Sequence, residues 1–464
     1  YASPMKRRDA LKTIGGLAGA ASLARVLPAC GSSDDGPYGQ DSGPQEIKTF
    51  VYMMMENRSY DHWFGARKMI EGLAGDGLTA GTSLLDLDGK RVSIFEPDRN
   101  SECALDPPHG WDTLRGSFNN GKNDGFLIQH QMQHGKAAIE PMQYLTRTQL
   151  PVSYALADHY TSCDRWFCSM MGPTWPNRFY WHAGTSFGVK SNVLISADQF
   201  QPSIYHRLEA KNVEWAYYYS SLPVVPIIGG IHLDGRVKRF QDFLTDAKAG
   251  TLPPVVYIDP AFNDNDDHPP VHPINGQALI SAVYQALATS PQWKNCLLVV
   301  TYDENGGFYD HVPPPKAVDE RAGEGFDQLG FRVPTLVVGP YVKQGYVSSV
   351  TYDHTSALKH LQNRFGLDAL TARTTAATDL TDCLDVERMA QGKWAKPVQL
   401  PAVTPADWPM ADVCTTGSLR EDHPVNVWAD ANPERVAGYD LRGELPAYRK
   451  LIWDYLARQR ELAR

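Results

Sequence analysis

The chain lacks an excess of basic residues. Its 464 residues include 44 lysines and arginines against 53 acids, which gives a formal net charge of -9. A protein that binds nucleic acid needs a basic surface, so this balance argues against a nucleic-acid partner. An acidic protein that acts on anionic substrates must supply positive charge locally, from a metal ion, histidines or helix N-termini.

Long apolar runs and cysteine motifs are also scarce. Beyond the first 30 residues, no apolar run approaches the roughly 20 residues that span a bilayer. The seven cysteines form no CxxC pair and no Cys/His cluster, which argues against a zinc finger. Without Cys30 six remain, an even number that permits disulfides in an oxidising compartment. By proximity we expect the pairs Cys163–Cys168 and Cys383–Cys414, with Cys296 in the core.

The first 30 residues have the layout of an export signal. Arg7 and Arg8 precede a mildly apolar run, from Ile14 to Leu27, that is rich in glycine and alanine. This layout is typical of the bacterial twin-arginine export signal. The signal ends at Cys30 in a site that resembles a lipoprotein processing site, and a polar tether follows over residues 31–45. We expect an exported protein that is periplasmic, secreted or held on a membrane through lipid on Cys30.

Strand-like and helix-like segments alternate along the remaining chain. Strands are predicted at residues 49–55, 193–195, 213–219, 255–258, 297–302 and 333–338, and helices at 276–289 and 354–365. This alternation predicts an α/β fold of three layers, α/β/α, with a mostly parallel central sheet. We expect a catalytic domain over residues 46–385, in which residues 66–150 form an irregular insertion or lid. A C-terminal extension over residues 386–464 should pack on that domain and end in an amphipathic helix, 445–462.

The most informative segment is the apolar strand that ends at Asp303 and Glu304. Open α/β sheets bind ligands beyond the carboxyl ends of their strands. Two adjacent carboxylates at that edge repel each other and lose hydration unless a cation lies between them. The segment therefore predicts a metal site. Gly306 and Gly307 would let the backbone pass close to it and bring His311 nearby.

The first predicted strand of the sheet ends in a similar way, at Glu56 and Asn57. These residues by themselves also fit a helix start, in which Ser59 is the N-cap and a nearby acid favours the helix dipole. Taken with Asp303 and Glu304, they predict a site of oxygen ligands for a hard cation.

A third segment, GPTWPNR at residues 172–178, carries Thr174. Pro176 suits the first turn of a helix, so the hydroxyl is expected near a helix N-terminus. Beside a divalent cation such a hydroxyl can attack phosphorus, although a threonine that only caps a turn is the alternative. Polar loops also carry a set of histidines that suit proton transfer to a leaving group: His109, His268, His272 and His354.

These segments together resemble the bacterial phosphoesterase family that includes the phosphocholine-type phospholipases C and a secreted acid phosphatase. That family belongs to the alkaline phosphatase superfamily. The matching motifs are MMENRSYDHWFG at residues 54–65, GPTWPNR at 172–178, TYDENGGFYDHVPPP at 301–315 and DHTS at 353–356. They span about residues 48–385, so the resemblance covers most of the chain.

The resemblance implies an alkaline phosphatase-like fold and a site with one divalent metal ion, for which Ca²⁺ and Zn²⁺ are the candidates. It also implies a nucleophilic threonine and a phosphothreonine intermediate. The metal ligands would be Glu56, Asn57, Thr174, Asp303 and Glu304. The catalytic residues would be Thr174, His109, His268 and His354, and the expected substrate contacts are Asn177, Arg178, His272 and Asp353.

Threonine at position 174 resembles the phospholipase branch, whereas the acid phosphatase has serine there. We therefore expect a phosphoric ester hydrolase, a phospholipase C that releases diacylglycerol and a phosphorylated head group from a glycerophospholipid. A broad-specificity acid phosphatase is the alternative, and a non-catalytic metal-binding surface lipoprotein is a third. The oligomeric state stays open.

Overall fold

The computed structural model describes residues 36–98, 103–193, 195, 198–224, 235–404, 414 and 423–462. The chain divides into two units, Tyr1–Pro37 and Tyr38–Arg464, and every element given below lies in the second. The predicted export signal and most of the tether lie outside the described residues.

The described strands are β1 Tyr38–Gln40, β2 Thr49–Met55, β3 Ser83–Leu85, β4 Arg91–Ser93, β5 Thr161–Cys163, β6 Trp215–Tyr219, β7 Val237–Arg239, β8 Val255–Ile258, β9 Cys296–Tyr302, β10 Leu336–Val338, β11 Tyr346–Ser348 and β12 Lys393–Ala395. The described α-helices are α1 Tyr60–Glu71, α2 Trp111–Phe118, α3 Phe126–His134, α4 Pro151–His159, α5 Thr174–Ala183, α6 Ile204–Ala210, α7 Phe240–Ala249, α8 Pro273–Ala288, α9 His354–Phe365, α10 Ala372–Ala376, α11 Val386–Ala390, α12 Pro424–Ala431, α13 Pro433–Val436 and α14 Leu445–Leu462. Short 3-10 helices lie at Asn119–Gly121, Glu140–Met142, Trp293–Asn295, Ala322–Glu324, Leu380–Cys383 and Arg442–Glu444.

The central sheet has eight strands in the order β11-β5-β10-β9-β2-β8-β6-β7. The strands from β9 to β7 in this order are parallel to their neighbours, and β11 is parallel to β5. Only β10 among these strands runs antiparallel, to both β9 and β5. Two small antiparallel pairs, β1–β12 and β3–β4, lie outside the sheet. The predicted mostly parallel sheet is thereby confirmed.

Successive strand residues point to opposite sides of the sheet, so an apolar strand presents apolar side chains on both faces. Helices cover both of these faces. On one face, Phe50 contacts Phe365 of α9 at 5.7 Å between ring centroids, and Tyr52 contacts Trp181 of α5 at 5.6 Å. On the other face, Tyr302 of β9 contacts Trp63 of α1 at 5.2 Å. The central strands β2 and β9 are buried along their whole length. The three-layer α/β/α class is therefore confirmed.

Most predicted elements are present, with some shifted ends. The predicted strands 49–55 and 255–258 and the helices 354–365 and 445–462 have the observed bounds, whereas the strand predicted at 333–338 is shorter. Val193 and Ile195, the described residues of the strand predicted at 193–195, belong to no strand. Residues 66–150, predicted as irregular, contain α2, α3 and the β3–β4 pair. The domain boundaries themselves stay predictions.

The cysteine pairs expected from sequence proximity are wrong. A disulfide joins Cys103 to Cys414, whose Cα atoms lie 5.2 Å apart across 311 positions of sequence. Cys163, Cys168 and Cys383 are buried free thiols. The Sγ atom of Cys163 lies 3.9 Å from that of Cys383 instead. Cys296 is buried at the start of β9, as expected.

Among the described residues, no helix is both long enough and apolar enough to cross a membrane.

Candidate active site

The parallel strands β2 and β9 carry their acidic ends to the same edge of the sheet. Met55 pairs with Tyr302 in their register, so Glu56 and Asp303 follow paired residues. The backbone nitrogen of Asn57 donates to Asp303 Oδ1 at 3.2 Å, which ties the two strand ends together. Glu56, Asn57, Asp303 and Glu304 are all fully buried. The structure therefore brings together the predicted ligands of both strand ends.

Close backbone packing after Glu304 requires the two glycines. Gly306 has a φ of +59°, and a Cβ there would overlap the carbonyl oxygen of Asn57. At Gly307, with a φ of +68°, a Cβ would lie 2.8 Å from Pro107 Cβ. Larger side chains would push these segments apart, so the glycines keep the strand ends and the loop before His109 in contact.

Helix α5 begins at Thr174 and is joined to the carboxylates through Arg178. Arg178, one turn later, lies on the same helix face because residues four apart are neighbours. Its guanidinium lies 3.0 Å from Glu56 Oε1, 3.2 Å from Asp259 Oδ1 and 3.4 Å from Asp303 Oδ2. Arg178 thus links the helix to both strand ends.

Asn177 fixes the loop that precedes Thr174. Its Oδ1 accepts from the Met170 nitrogen at 3.1 Å, and its Nδ2 donates to the carbonyl oxygens of Gly172 and Pro173 at 3.0 and 3.2 Å. The described contacts of Asn177 and Arg178 are therefore with the protein itself. Their predicted role as substrate contacts stays a prediction.

Four of the five predicted metal ligands have a buried oxygen atom without a hydrogen-bond partner in the described structure. These atoms are Asn57 Oδ1, Thr174 Oγ1, Asp303 Oδ2 and Glu304 Oε1. Leaving one such atom unpaired costs about 1–3 kcal/mol. All four are oxygen atoms, the donor type that a hard divalent cation prefers, so the chemistry of these residues fits the predicted metal ion.

The pKa values of the acids also indicate a missing positive charge. Burial and the neighbouring Glu56 raise the pKa of Asp303, Arg178 lowers it, and the net result is a pKa of about 6. Burial raises the pKa of Glu304 well above its usual value, against the opposing effect of His109. Burial likewise raises the pKa of Glu56, while Arg178 lowers it. A cation among them would let all three carboxylates stay ionised.

A group of three histidines lies beside the carboxylates. The ring centroid of His268 lies 5.9 Å from that of His109 and 5.6 Å from that of His423. His109 donates from Nδ1 to the Pro107 carbonyl at 2.8 Å, so its Nε2 faces the site, 3.8 Å from Glu304 Oε1. Two of the predicted catalytic histidines thus share one site with the predicted ligands.

Nearby acids and burial shift the pKa values of His109 and His268 in opposite directions. Burial lowers the pKa of His109, but Glu304 and Asp106 outweigh this effect and raise it to about 9. Burial lowers the pKa of His268. Asp106 lies between the two rings, 3.7 Å from His109 Nδ1 and 4.0 Å from His268 Nε2. Sequence reasoning did not single out Asp106, although it stands in the same loop as His109.

His423 is a site residue that sequence reasoning missed. Its Nδ1 accepts from the Val425 nitrogen at 3.2 Å, so Nε2 carries the proton and donates to Glu56 Oε2 at 2.7 Å. The ring stacks on Phe262 at 4.7 Å, and burial lowers its pKa to about 3. His423 precedes helix α12, which lies in the predicted C-terminal extension. No motif in the sequence marks it.

His354 holds the backbone of Asp303. Its Nδ1 accepts from Trp166 Nε1 at 3.3 Å, so its Nε2 donates to the Asp303 carbonyl oxygen at 2.7 Å. Burial lowers the pKa of His354 to about 4. His354 Nε2 thus holds the residue that follows β9, while Nδ1 ties the ring to Trp166, and a catalytic role for His354 stays a prediction.

The remaining predicted residues lie at helix starts or in a separate cluster. His272 is the N-cap of α8, and Asp353 is the N-cap of α9 and pairs with Arg373 at 2.7 Å. His311 contacts Asp61, with Nδ1 2.6 Å from Oδ2. The described contacts of these residues do not include any of the five predicted metal ligands.

A centre of this kind suits the hydrolysis of anionic esters, because a helix N-terminus attracts negative charge and the threonine hydroxyl can act as nucleophile. The sequence profile of the Phosphoesterase family matches residues 47–368. The chain therefore belongs to the phosphoesterase family. This confirms the predicted family and the predicted enzyme class, a phosphoric ester hydrolase.

Relatives of the chain include several phospholipases C. Non-specific phospholipase C1 from Arabidopsis thaliana is 35% identical over 335 residues, which are 65% of this chain and 62% of that protein. Phospholipase C B from Mycobacterium tuberculosis is 31% identical over 404 residues, 72% of this chain and 77% of that protein. Non-hemolytic phospholipase C from Burkholderia pseudomallei is 30% identical over 437 residues, 77% of this chain and 61% of that protein. The chain thus spans less than two thirds of the Arabidopsis and Burkholderia relatives.

The solved structures that the chain is similar to include a protein in the alkaline phosphatase superfamily from Vibrio parahaemolyticus. The TM-score is 0.35 with 9% identity, over 89% of this chain and 91% of that one.

Proposed function

We propose that the chain is a phospholipase C that cleaves a glycerophospholipid into diacylglycerol and a phosphorylated head group. The observation that carries this proposal is the buried hydroxyl of Thr174, which has no hydrogen-bond partner in the described structure and stands at the start of α5. The relatives named phospholipase C, at 30 to 35% identity, support a phospholipid as the substrate.

The proposed metal ion is a single divalent cation, Ca²⁺ or Zn²⁺. Its ligands would be Glu56, Asn57, Thr174, Asp303 and Glu304. When bound, it would lower the pKa of the Thr174 hydroxyl and neutralise charge on the phosphoryl oxygens. Neighbouring side chains hold two of these ligands in place. Arg178 and His423 bond to Glu56, and His354 bonds to the backbone of Asp303.

The proposed reaction has two steps. Thr174 Oγ1 gives up its proton to a base and attacks phosphorus, the bond from phosphorus to the glycerol oxygen breaks, and that oxygen takes up a proton. A water molecule then gives up a proton to a base and attacks the phosphothreonine, which still carries the head group, and the threonine oxygen leaves with a proton. His109 and His268, which lie beside the carboxylates, would transfer these protons. The positive end of the α5 dipole, at Thr174, would attract the negatively charged phosphoryl oxygens.

Export is part of the proposal. The twin-arginine layout before Cys30 supports it, and attachment to a membrane through lipid on Cys30 is the form that the processing site suggests. The disulfide between Cys103 and Cys414 also supports it, because such bonds persist in oxidising compartments.

Substrate preference tests the proposed function. The enzyme, with metal supplied, is given a dye-linked phosphocholine diester and the matching phosphate monoester. We expect turnover of the diester and its loss in Thr174→Ala, whereas Thr245→Ala, an exposed threonine on α7, should behave as wild type. Preference for the monoester would favour the acid phosphatase instead. Turnover of neither ester would leave the non-catalytic binding protein.

A further inference from the structure

Helix α12 carries apolar side chains on its outward side. Val425 and Ala429 are 2% and 0% exposed and pack inward. Val427 is 54% exposed, and Trp428 beside it is half-buried. The outward side of a surface helix ordinarily carries polar or charged residues. Apolar residues there indicate that this side meets something other than water.

Four residues of α12 form one wall of a groove of about 510 Å³, namely Pro424, Val427, Trp428 and Ala431. The opposite wall consists of Trp175, Asn192 and Val193, and Val193 is 52% exposed. The described residues that line the groove include no charged side chain. Single exposed apolar residues are normal on a protein surface, but apolar side chains gathered around a groove are typical of a binding site.

Both walls of the groove are joined to the catalytic centre through the backbone. Trp175 directly follows Thr174, and its nitrogen donates to Asn192 Oδ1 at 3.0 Å, which holds the first wall together. Pro424, on the second wall, directly follows His423, whose ring donates to Glu56 Oε2. A molecule whose phosphorus lies at Thr174 would therefore have the groove as its adjacent apolar surface.

We propose that this groove holds an acyl chain of the phospholipid substrate. The proposal rests on the proposed function and adds where the apolar part of the lipid binds. A hydrocarbon chain suits the groove because all of the described lining residues except Asn192 are apolar, whereas a charged head group would find no charged partner among them.

The test compares Val427→Glu with Val386→Glu. Val386 lies on α11 outside the groove and is 57% exposed, so it matches Val427 in type and exposure. Each variant is assayed on vesicles of long-chain phosphatidylcholine and on the dye-linked phosphocholine diester, which has no acyl chain. We expect Val427→Glu to lower the ratio of lipid to diester turnover about ten-fold, the factor that burial of one branched apolar side chain supplies. Val386→Glu should keep the wild-type ratio. A wild-type ratio in Val427→Glu would overturn the groove assignment.

A binding measurement separates this proposal from the proposed function. Thr174→Ala and the double variant Thr174→Ala, Val427→Glu are sedimented with the same vesicles. Weaker binding of the double variant supports the groove, even if the wild-type enzyme hydrolyses neither substrate and the proposed function fails. Equal binding together with an unchanged turnover ratio overturns the groove and leaves the proposed function standing. Val427→Ser, a milder change, replaces Val427→Glu in both assays if the glutamate variant does not fold.

Discussion

Replacing Arg178 by methionine removes a guanidinium that three buried carboxylates share. Arg178 is 1% exposed and lies 3.0 Å from Glu56, 3.2 Å from Asp259 and 3.4 Å from Asp303. Removing one partner from a buried ion pair costs about 3–5 kcal/mol, because the remaining charge stays buried without compensation. A domain has only about 5–15 kcal/mol of stability in total. We therefore expect Arg178→Met to destabilise the metal-free protein by about 3–5 kcal/mol.

The loss of stability in Arg178→Met should depend on pH. Burial raises the pKa of Asp259 to about 6, and Arg178 holds it down. Removing Arg178 raises this folded-state pKa further above the unfolded value near 3.9. A carboxyl whose folded pKa is raised binds protons more tightly in the folded state, so its contribution to stability falls as pH rises through that range. The loss in Arg178→Met should thus be smaller at pH 5 than at pH 8.

Urea unfolding of the chelator-treated protein at pH 5 and pH 8 measures both effects. Arg321→Met is the matched control, because Arg321 pairs with Glu324 at 2.9 Å while the two side chains are 43% and 50% exposed. An exposed pair contributes about 0–1 kcal/mol. If Arg178→Met lowers the unfolding midpoint at pH 8 no more than Arg321→Met does, the carboxylates do not depend on this guanidinium and the reasoning is wrong.

Three further predictions concern the metal ligands and the histidine that holds one of them. Asp303→Asn should lower metal content and turnover together, measured by elemental analysis and by the diester assay, and unchanged metal occupancy would contradict the ligand assignment. Because burial raises the pKa of Asp303 to about 6, protons should compete with the metal below pH 6, so that chelator titrations give weaker affinity at pH 5 than at pH 8. His423→Phe keeps an aromatic ring at this position but removes the N–H that donates to Glu56. We expect metal affinity to fall about 10- to 100-fold. His159→Phe, at an exposed position on α4, should keep wild-type affinity, and equal affinities of the two variants would refute a positioning role for His423.

Burial explains why the central strands were predictable. β2 and β9 are buried on both faces, so their sequences are continuous apolar runs that end at polar residues. The direction of β10 was not predictable, because a short apolar run has the same pattern in either orientation. Val193 shows the limit of this signal, since a residue from an apolar run can also line a surface groove.

The candidate site was predictable where sequence neighbours act together. Glu56 with Asn57 and Asp303 with Glu304 are adjacent pairs at strand ends, and parallel strands bring such ends together. His423 and the disulfide had no such signal. His423 bonds to a residue 367 positions away, and Cys103 bonds to a cysteine 311 positions away. Contacts of this kind arise only from the tertiary fold.

Trapping of the covalent intermediate tests the role of Thr174 most directly. The enzyme is mixed with a phosphodiester labelled at phosphorus, quenched in acid during turnover and digested for mass spectrometry. The account predicts that the labelled phosphoryl group, with its head group, is attached to the peptide that contains Thr174 and is absent in Thr174→Ala. Label on another residue of the active enzyme, or wild-type turnover by Thr174→Ala, would contradict it.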